Sequence, residues 1–295
     1  MFFRIWALLA MLVAGAGMAR AELVIVTDIA PVSALLRDVT GAPPRQILPD
    51  AVSPHDFALR PSDMRLLQEA DLIVWLGPLA SPGLAKAMQR TDFADKALDL
   101  SAVPGTNHLP VRRAGRFGSA DDAGGTDPHM WLDPDNAHLW AAAIAARLAL
   151  LDPAGAGSYD VGLARLAAAL DAVEDAAKAR LGRDGAAPYL QFHDAFQYFE
   201  RHFGLQPLGA ATAGDEESLS LGIVADLRSL LAEQPGACLF LSDMNEQRRA
   251  AALLDNVRIG WLDALGRTLP ASGYSYPDLI RANADGFAAC LYPAG

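Results

Sequence analysis

Short apolar runs typical of buried strands alternate with segments of helical periodicity along most of the chain. Strands are predicted at residues 23–27, 46–48, 72–76 and 97–100, and again at 189–192, 206–210, 238–241 and 259–262. Helices are predicted between them at residues 32–39, 61–69, 83–90, 196–203, 220–234, 247–255 and 277–291. Because strands and helices alternate in this way, the pattern predicts βαβ units with parallel sheets.

Two helical segments separate the two groups of predicted strands. One begins at Pro134 and runs to about residue 150, and a longer one covers residues 158–181 before Gly182. The longer helix would span roughly 36 Å, enough to connect two domains. We therefore predict an α/β fold of two Rossmann-like βα lobes with parallel sheets, joined by one long rigid helix. The predicted divisions are an N-terminal lobe at 22–152, a linking helix at 153–183 and a C-terminal lobe at 184–295.

The first 21 residues have the pattern of a secretory signal peptide. Arg4 precedes an apolar run at 5–13 that is too short to span a bilayer, and Ala19-Arg20-Ala21 matches a cleavage pattern. We predict cleavage near Ala21 and export to the periplasm, with an uncleaved anchor helix as the alternative. No later apolar run of the sequence reaches the length of a membrane helix.

The composition indicates a folded, acidic protein, with 52% hydrophobic residues and a formal net charge of −11. Loss of the two arginines of the signal makes the mature chain more negative still. Such a chain repels nucleic acid and suits solubility and the attraction of cations. Residues 101–126 lack clear periodicity, and we predict a long loop there that is functional or mobile.

The chain contains two cysteines, Cys238 and Cys290. In an exported protein the simplest interpretation is one disulfide, which would tie the last predicted helix to the second sheet. Such a bridge would contribute about 4 kcal/mol in the chain-entropy model. Two free buried thiols are the alternative.

Four polar residues follow predicted strands or end the long loop: His55, His129, His193 and Asp263. Parallel sheets bind ligands beyond the carboxyl ends of their strands, and two of these residues fall in each predicted lobe. A site shared across the cleft between the lobes is therefore geometrically natural. Three imidazoles and one carboxylate suit a borderline divalent ion such as zinc. Taken singly, each residue could equally be a surface histidine or a turn aspartate.

The remaining histidines have no such placement. We interpret His108, His138 and His202 as surface or packing residues, although His108 could make a transient metal contact. Asp56 and Asp194 each follow a candidate ligand and could orient its imidazole by hydrogen bonding.

Four local sequences then occur in order along the chain. They are LPDAVSPHDFALRPSDMRLLQEADLIVWLGP (48–78), DPHMWLDPDNA (127–137), FHDAFQYFERHFGL (192–205) and GWLDALG (260–266). Together they resemble the metal-binding receptors of ABC importers, in particular the zinc-uptake (ZnuA-like) branch of these solute-binding proteins. The resemblance covers nearly the whole mature chain. It implies two βα lobes joined by a long helix, with a metal ion buried between them.

The resemblance also implies roles for individual residues. Carried over by motif, His55, His129 and His193 are the histidine ligands of zinc and Asp263 is the carboxylate ligand. The paired cysteines resemble those of the zinc branch. The implied protein is a periplasmic receptor without catalytic activity, expected to be a monomer, that delivers Zn²⁺ to a permease in the inner membrane.

The third histidine bears on the choice of metal. Manganese receptors of the same superfamily usually have glutamate where His193 stands, and the softer imidazole favours zinc over a harder ion. A manganese or iron receptor and a periplasmic zinc chaperone or adhesin remain alternatives on the same scaffold. A zinc hydrolase is disfavoured because the sequence has no His-Glu-x-x-His or Gly-x-Ser-x-Gly motif.

The chain departs from the family pattern in three loops. Ser242-Asp243-Met244 stands where Glu-Pro-Gln is common, which makes Asp243 a second candidate carboxylate. Asp263 is followed by Ala264 where proline is common. The long loop of zinc receptors is often rich in histidine, whereas here it holds only His108, so we expect weak zinc capture by this loop.

Overall fold

The computed structural model describes residues 23–49, 53–54, 57–118, 122–214, 219–253, 257–270 and 273–293. The predicted signal peptide, His55 and Asp56 lie outside these residues. Among the helices that are described, none combines the length and the apolar composition needed to cross a bilayer.

The N-terminal βα units form a four-stranded parallel sheet in the order β2-β1-β3-β4. Its strands are β1 (Ile25–Thr27), β2 (Arg45–Gln46), β3 (Leu72–Trp75) and β4 (Ala97–Asp99). The accompanying helices are α1 (Ala30–Thr40), α2 (Pro61–Glu69), α3 (Pro82–Met88) and α4 (Thr91–Ala94). Every residue of β3 is buried, because helices cover both faces of a parallel sheet and its strands become continuous apolar runs.

The segment predicted as a long loop contains three short strands. β5 (Pro110–Arg112) and β7 (Asp122–Thr126) pair with each other in antiparallel orientation. Between them, β6 (Gly115–Arg116) pairs with a strand of the C-terminal sheet. These strands are short and rich in glycine, so they carry no apolar alternation from which a strand could be predicted. This part of the predicted N-terminal lobe therefore reaches across to the other sheet.

The C-terminal sheet has five strands in the order β11-β10-β8-β9-β6. β8 (Tyr189–His193), β9 (Gly209–Thr212), β10 (Cys238–Leu241) and β11 (Arg258–Trp261) are parallel, and β6 is antiparallel to its neighbour β9. β9 begins at Gly209, three residues after the predicted start at 206.

Six further α-helices occur in the part of the chain that the structure describes. They are α5 (Pro134–Leu151), α6 (Ala156–Leu181), α7 (Gln197–Phe203), α8 (Leu221–Glu233), α9 (Met244–Arg249) and α10 (Tyr276–Leu291). α9 begins three residues before the predicted helix because the side chain of Asp243 accepts from the N–H groups of Asn245 and Glu246 and caps it. Asp243, the second candidate carboxylate, is thus engaged as a helix cap.

The linking helix α6 has 26 residues and packs against α1, α5 and α10. Buried residues of both lobes and of α6 form one continuous hydrophobic cluster, in which Trp140, Leu170 and Phe287 are fully buried. The predicted α/β fold with parallel sheets and a long helix is confirmed.

The predicted disulfide is also confirmed. Cys238 at the start of β10 is bonded to Cys290 in α10, with their Cα atoms 6.1 Å apart. The bridge fixes the last helix to a central strand of the C-terminal sheet.

Specific hydrogen bonds join the two lobes beyond the linking helix. The indole N–H of Trp131 donates to the carbonyl oxygen of Ala264 at 2.7 Å. The hydroxyl of Tyr276, at the start of α10, donates to the carbonyl oxygen of Trp131 at 2.7 Å. The backbone N–H of the same tyrosine donates to the carboxylate of Asp38 in α1 at 2.8 Å. These contacts connect the segment that carries His129 to the loop that carries Asp263.

We predict that Gly162 is needed for the contact between α6 and α1. A Cβ atom at this position would lie 2.0 Å from the carbonyl oxygen of Val39. Gly162→Ala should therefore lower the free energy of unfolding by about 1–3 kcal/mol, although alanine is the better helix former. Urea denaturation measures this change.

Gly157→Ala in the same helix is the matched control. A Cβ atom there meets nothing within 4 Å, so the substitution should leave stability unchanged or raise it by up to about 1 kcal/mol. Equal effects of the two substitutions would contradict a close approach of the helices at Gly162.

The contact between Asp38 and Tyr276 should make stability depend on pH. Burial raises the pKa of Asp38 from 3.8 to about 6, against the hydrogen bond from Tyr276, and Asp278 adds to the increase. In the unfolded chain Asp38 loses its proton near pH 3.8, so the charged side chain costs stability as the pH rises through this window.

Asp38→Asn keeps an oxygen that can accept from Tyr276 and removes the titration. Its free energy of unfolding, relative to the native chain, should increase between about pH 4 and pH 6.5 and then stay constant. Urea denaturation of the metal-free protein across this range tests the prediction. A difference that does not vary with pH would show that the Asp38 pKa is ordinary.

Candidate metal centre

His129 is a buried histidine whose tautomer is set by a neighbouring carboxylate. Its side chain is 5% exposed, and its Nδ1 atom lies 2.8 Å from Oδ1 of Asp127. The same oxygen accepts from the backbone N–H of His129 at 2.9 Å. Because a carboxylate only accepts, the proton of this bond is on Nδ1, and Nε2 is the ring nitrogen that faces away from Asp127. A carboxylate behind an imidazole is the usual support of a metal-binding histidine.

The local sequence explains this geometry. Pro128 follows Asp127, and a short 3-10 helix, Met130–Leu132, follows His129 before Asp133 caps α5. The carbonyl oxygen of Asp127 accepts from the hydroxyl of Tyr198 at 3.0 Å, which anchors the segment to α7. His129 therefore lies on a short turn held at both ends.

His193 is the last residue of β8 and is also buried. Its ring centroid lies 5.0 Å from that of His129, and the two rings are edge-on at 71°. The structure thus brings together two candidate ligands that are 64 positions apart in the chain. The indole of Trp131 lies 5.1 Å from the His129 ring and shields it on another side.

Asp263, the candidate carboxylate, is half-buried directly after β11. Its oxygens accept from the backbone N–H of Leu265 at 3.2 Å and from the N–H and hydroxyl of Thr268 at 2.6 and 2.7 Å. Its own backbone N–H donates to Asn283 of α10 at 2.8 Å. The carboxylate therefore organises its own loop here.

A buried cluster of charges lies directly behind His193. The guanidinium of Arg112 in β5 donates to both oxygens of Asp194 and to Glu200, the latter at 2.7 Å. Burial raises the pKa of both carboxyl groups above its ordinary value. The positive charge of Arg112 acts in the opposite direction, and Arg112 pairs with both groups. The hydroxyl of Tyr189 and the amide of Gln191 also donate to Glu200.

Arg112 was missed in the sequence analysis. It lies in the segment predicted to be a loop, and nothing in its local sequence indicates that it is buried. Asp194 was predicted to orient the imidazole of His193, and both of its oxygens accept from Arg112. Arg112 thus couples the β5–β7 hairpin to the residues that follow the candidate ligand.

Comparison with known proteins gives consistent results. The family model described as ZnuA, zinc-uptake complex component A periplasmic, matches residues 25–290. The high-affinity zinc uptake system protein ZnuA of Paracoccus denitrificans is 32% identical, over 92% of this chain and 93% of that protein. The protein of the same name from Yersinia pestis is 31% identical, over 92% of each chain.

Solved structures are similar in fold. The periplasmic zinc binding protein TroA from Treponema pallidum superposes with a TM-score of 0.75 at 18% identity, covering 92% of this chain and 99% of that one. The solute-binding protein FpvC from Pseudomonas aeruginosa, in complex with Mn²⁺, gives a TM-score of 0.73 at 18% identity, covering 93% and 100%. At these identities the similarity shows the two-lobed fold alone.

We predict that Asp127 supports metal binding through His129. Asp127→Asn removes the charge that fixes the imidazole, so affinity for a divalent ion, tested with Zn²⁺, should fall about 10–100-fold. Competition with a chromophoric chelator measures the change. Asp152→Asn, at a capping aspartate between α5 and α6, is the control and should leave affinity unchanged. Equal affinities for all three proteins would exclude a role for Asp127.

Proposed function

Since the chain belongs to the family of periplasmic zinc-uptake complex A components, we propose that it is an exported receptor that binds Zn²⁺ and passes it to the permease of an ABC importer. The family comprises solute-binding proteins, which are not a class of enzymes. The observation that carries the proposal is the buried pair of His129 and His193, with Asp127 directing the Nε2 atom of His129 away from itself.

The proposed ligands are His55, His129, His193 and Asp263. The pairing of His129 with His193 supports the set, and the hydrogen bond between Trp131 and Ala264 keeps the Asp263 loop beside the His129 segment. Four protein ligands close a tetrahedral zinc site and leave no position for a reactive water, which suits capture and release. Asp263 exchanges its bonds to Thr268 for the ion, so its loop moves on binding.

Zinc is favoured over manganese by the chemistry of the ligands. Imidazole nitrogen binds borderline ions better than harder ones, and in the Irving–Williams order zinc binds more tightly than manganese at such a set. A manganese or iron receptor on this scaffold is the second candidate, because a neighbour of similar fold was solved with Mn²⁺. In direct competition zinc should displace manganese.

The cellular setting follows from the same proposal. The signal peptide directs export to the periplasm, where the receptor acts as a monomer and docks on a permease in the inner membrane. A growth assay under zinc starvation distinguishes this role from that of a zinc chaperone on the same scaffold. Loss of the receptor should slow growth, and added zinc should restore it.

We predict that His193→Ala lowers zinc affinity by more than about 100-fold, since a direct ligand contributes more than the residues behind it. Chelator competition and metal analysis of protein purified without chelator measure affinity and content. His108→Ala is the control, because His108 is exposed in the segment before β5 and should keep the native affinity. Native affinity in His193→Ala would overturn the proposed site.

A further inference from the structure

Glu174 of the linking helix lies at the centre of a second polar cluster, away from His129 and His193. Its side chain is 9% exposed. Its Oε1 atom lies 3.1 Å from Nε2 of His138 in α5, and its Oε2 atom lies 2.7 Å from Nε2 of His202 in α7. The ammonium group of Lys178 donates to Oε2 at 3.1 Å. The cluster thus joins α5, the linking helix and α7.

These contacts keep Glu174 charged. Burial opposes ionisation, but hydrogen bonds from His138, His202 and Lys178 outweigh it and hold the pKa of Glu174 well below its ordinary value. A charged carboxylate at 2.7 Å accepts the proton on Nε2 of His202. The interpretation of His138 and His202 as surface or packing residues therefore omitted their bonds to Glu174.

The other ring nitrogen of His202 faces two more carboxylates. Nδ1 lies 3.5 Å from Oδ2 of Asp135 and 3.7 Å from Oδ1 of Asp133, both longer than an ordinary hydrogen bond. Within the described residues, Nδ1 makes no hydrogen bond. The His202 side chain is 8% exposed, so this nitrogen belongs to a ring more than nine-tenths buried.

These separations match the spacing of ligands around one ion. With bonds of about 2.0–2.2 Å to nitrogen and oxygen, the edges of a tetrahedral zinc site are about 3.4 Å long. One ligand atom from each of Asp133, Asp135 and His202 lies within 4.8 Å of the others. Two carboxylate oxygens and one imidazole nitrogen thus face a common point, as the ligand atoms of one ion would.

We propose that Asp133, Asp135 and His202 form a second divalent-cation site, distinct from the site of His129 and His193. Glu174 acts as a positioning residue, because it holds the Nε2 proton and presents the Nδ1 lone pair. This is the same arrangement in which Asp127 presents Nε2 of His129. One imidazole and two carboxylates suit a borderline ion such as zinc, with water in the remaining position.

The second site is weaker than the first. It has one imidazole, and Asp135 is 68% exposed, so solvent competes for the ion. Oδ1 of Asp133 also accepts the backbone N–H of Asp135 at 3.0 Å, and Oδ2 accepts from Asn107 at 3.0 Å. Because Asp133 ends the turn that begins at His129, an ion here tightens the segment that carries the first site.

The test is a zinc titration of the metal-free mature chain by isothermal calorimetry. We expect two ions per chain, the second bound at least about 100-fold more weakly because it has fewer imidazole ligands. Asp135→Asn should weaken the second ion by at least about 10-fold and leave the first within 2-fold, as expected for loss of one charged ligand at an exposed position. One ion per chain, or equal second affinities in native and Asp135→Asn protein, overturns the proposal.

Asp171→Asn is the matched control. Asp171 is 69% exposed and lies 3.3 Å from Nε2 of His138, on the other side of Glu174. It should leave both affinities unchanged. If it weakens the second ion and Asp135→Asn does not, the ion binds at His138 and the assignment to His202 is wrong. His193→Ala should abolish binding of the first ion and leave binding of the second unchanged. A failure of the receptor proposal can therefore be told apart from a failure of the second site.

Nitrogen NMR of the His202 ring separates an ion from a proton. After one equivalent of zinc at about pH 7.5, Nε2 should be protonated and Nδ1 should not, and a second equivalent should shift Nδ1. A ring that carries protons on both nitrogens and does not respond to the second equivalent overturns the cation site and establishes an imidazolium ion pair.

Discussion

The packing of the linking helix against both lobes is the constraint on which the candidate metal centre depends. α6 contacts α1, α5 and α10, and at Gly162 its backbone lies directly on that of α1. Close-packed interiors transmit displacement, so this helix fixes the separation of the two sheets. The rings of His129 and His193 lie 5.0 Å apart, so their meeting depends on this separation together with the hydrogen bonds of Trp131 and Tyr276. Release of an ion is therefore expected to involve the loops more than the lobes.

Two histidines that bear on metal binding, His129 and His202, are each oriented by a carboxylate. Asp127 holds Nδ1 of His129, and Glu174 holds Nε2 of His202, so opposite nitrogens of the two rings are presented. Arg112 forms ion pairs with both Asp194 and Glu200 behind His193, so one positive charge balances two carboxylates. An acidic chain can bury these carboxylates only when each has a donor or a cation beside it. Pairs of a carboxylate with a histidine or an arginine thus organise the interior of this protein. The carboxylate–histidine pairs also determine which ring nitrogen faces a metal.

The zinc-binding role and the second cation site rest on different parts of the fold. The proposed first site uses the ends of β8 and β11 and the turn before α5, since parallel sheets bind ligands beyond the carboxyl ends of their strands. The second uses the cap of α5 and the last turn of α7, held together by the linking helix. Asp133 and His129 lie at the two ends of the same short turn. An ion at one site is therefore expected to change the geometry of the other.

Much of the fold was determined by the sequence alone. Strand and helix periodicities are local, so they predicted both βα lobes and the long helix, and they placed His193 at the end of a strand and His129 at the end of the loop before a helix. The pairing of Cys238 with Cys290 followed from export and from their number. The tertiary structure decided what depends on distant partners. It placed β6 in the C-terminal sheet, paired Arg112 with Asp194 and Glu200, and bound Asp263 to its own loop. It also brought Glu174 between His138 and His202, and turned the other nitrogen of His202 towards Asp133 and Asp135. None of these has a local signature, because burial and charge pairing arise between residues brought together only by the fold.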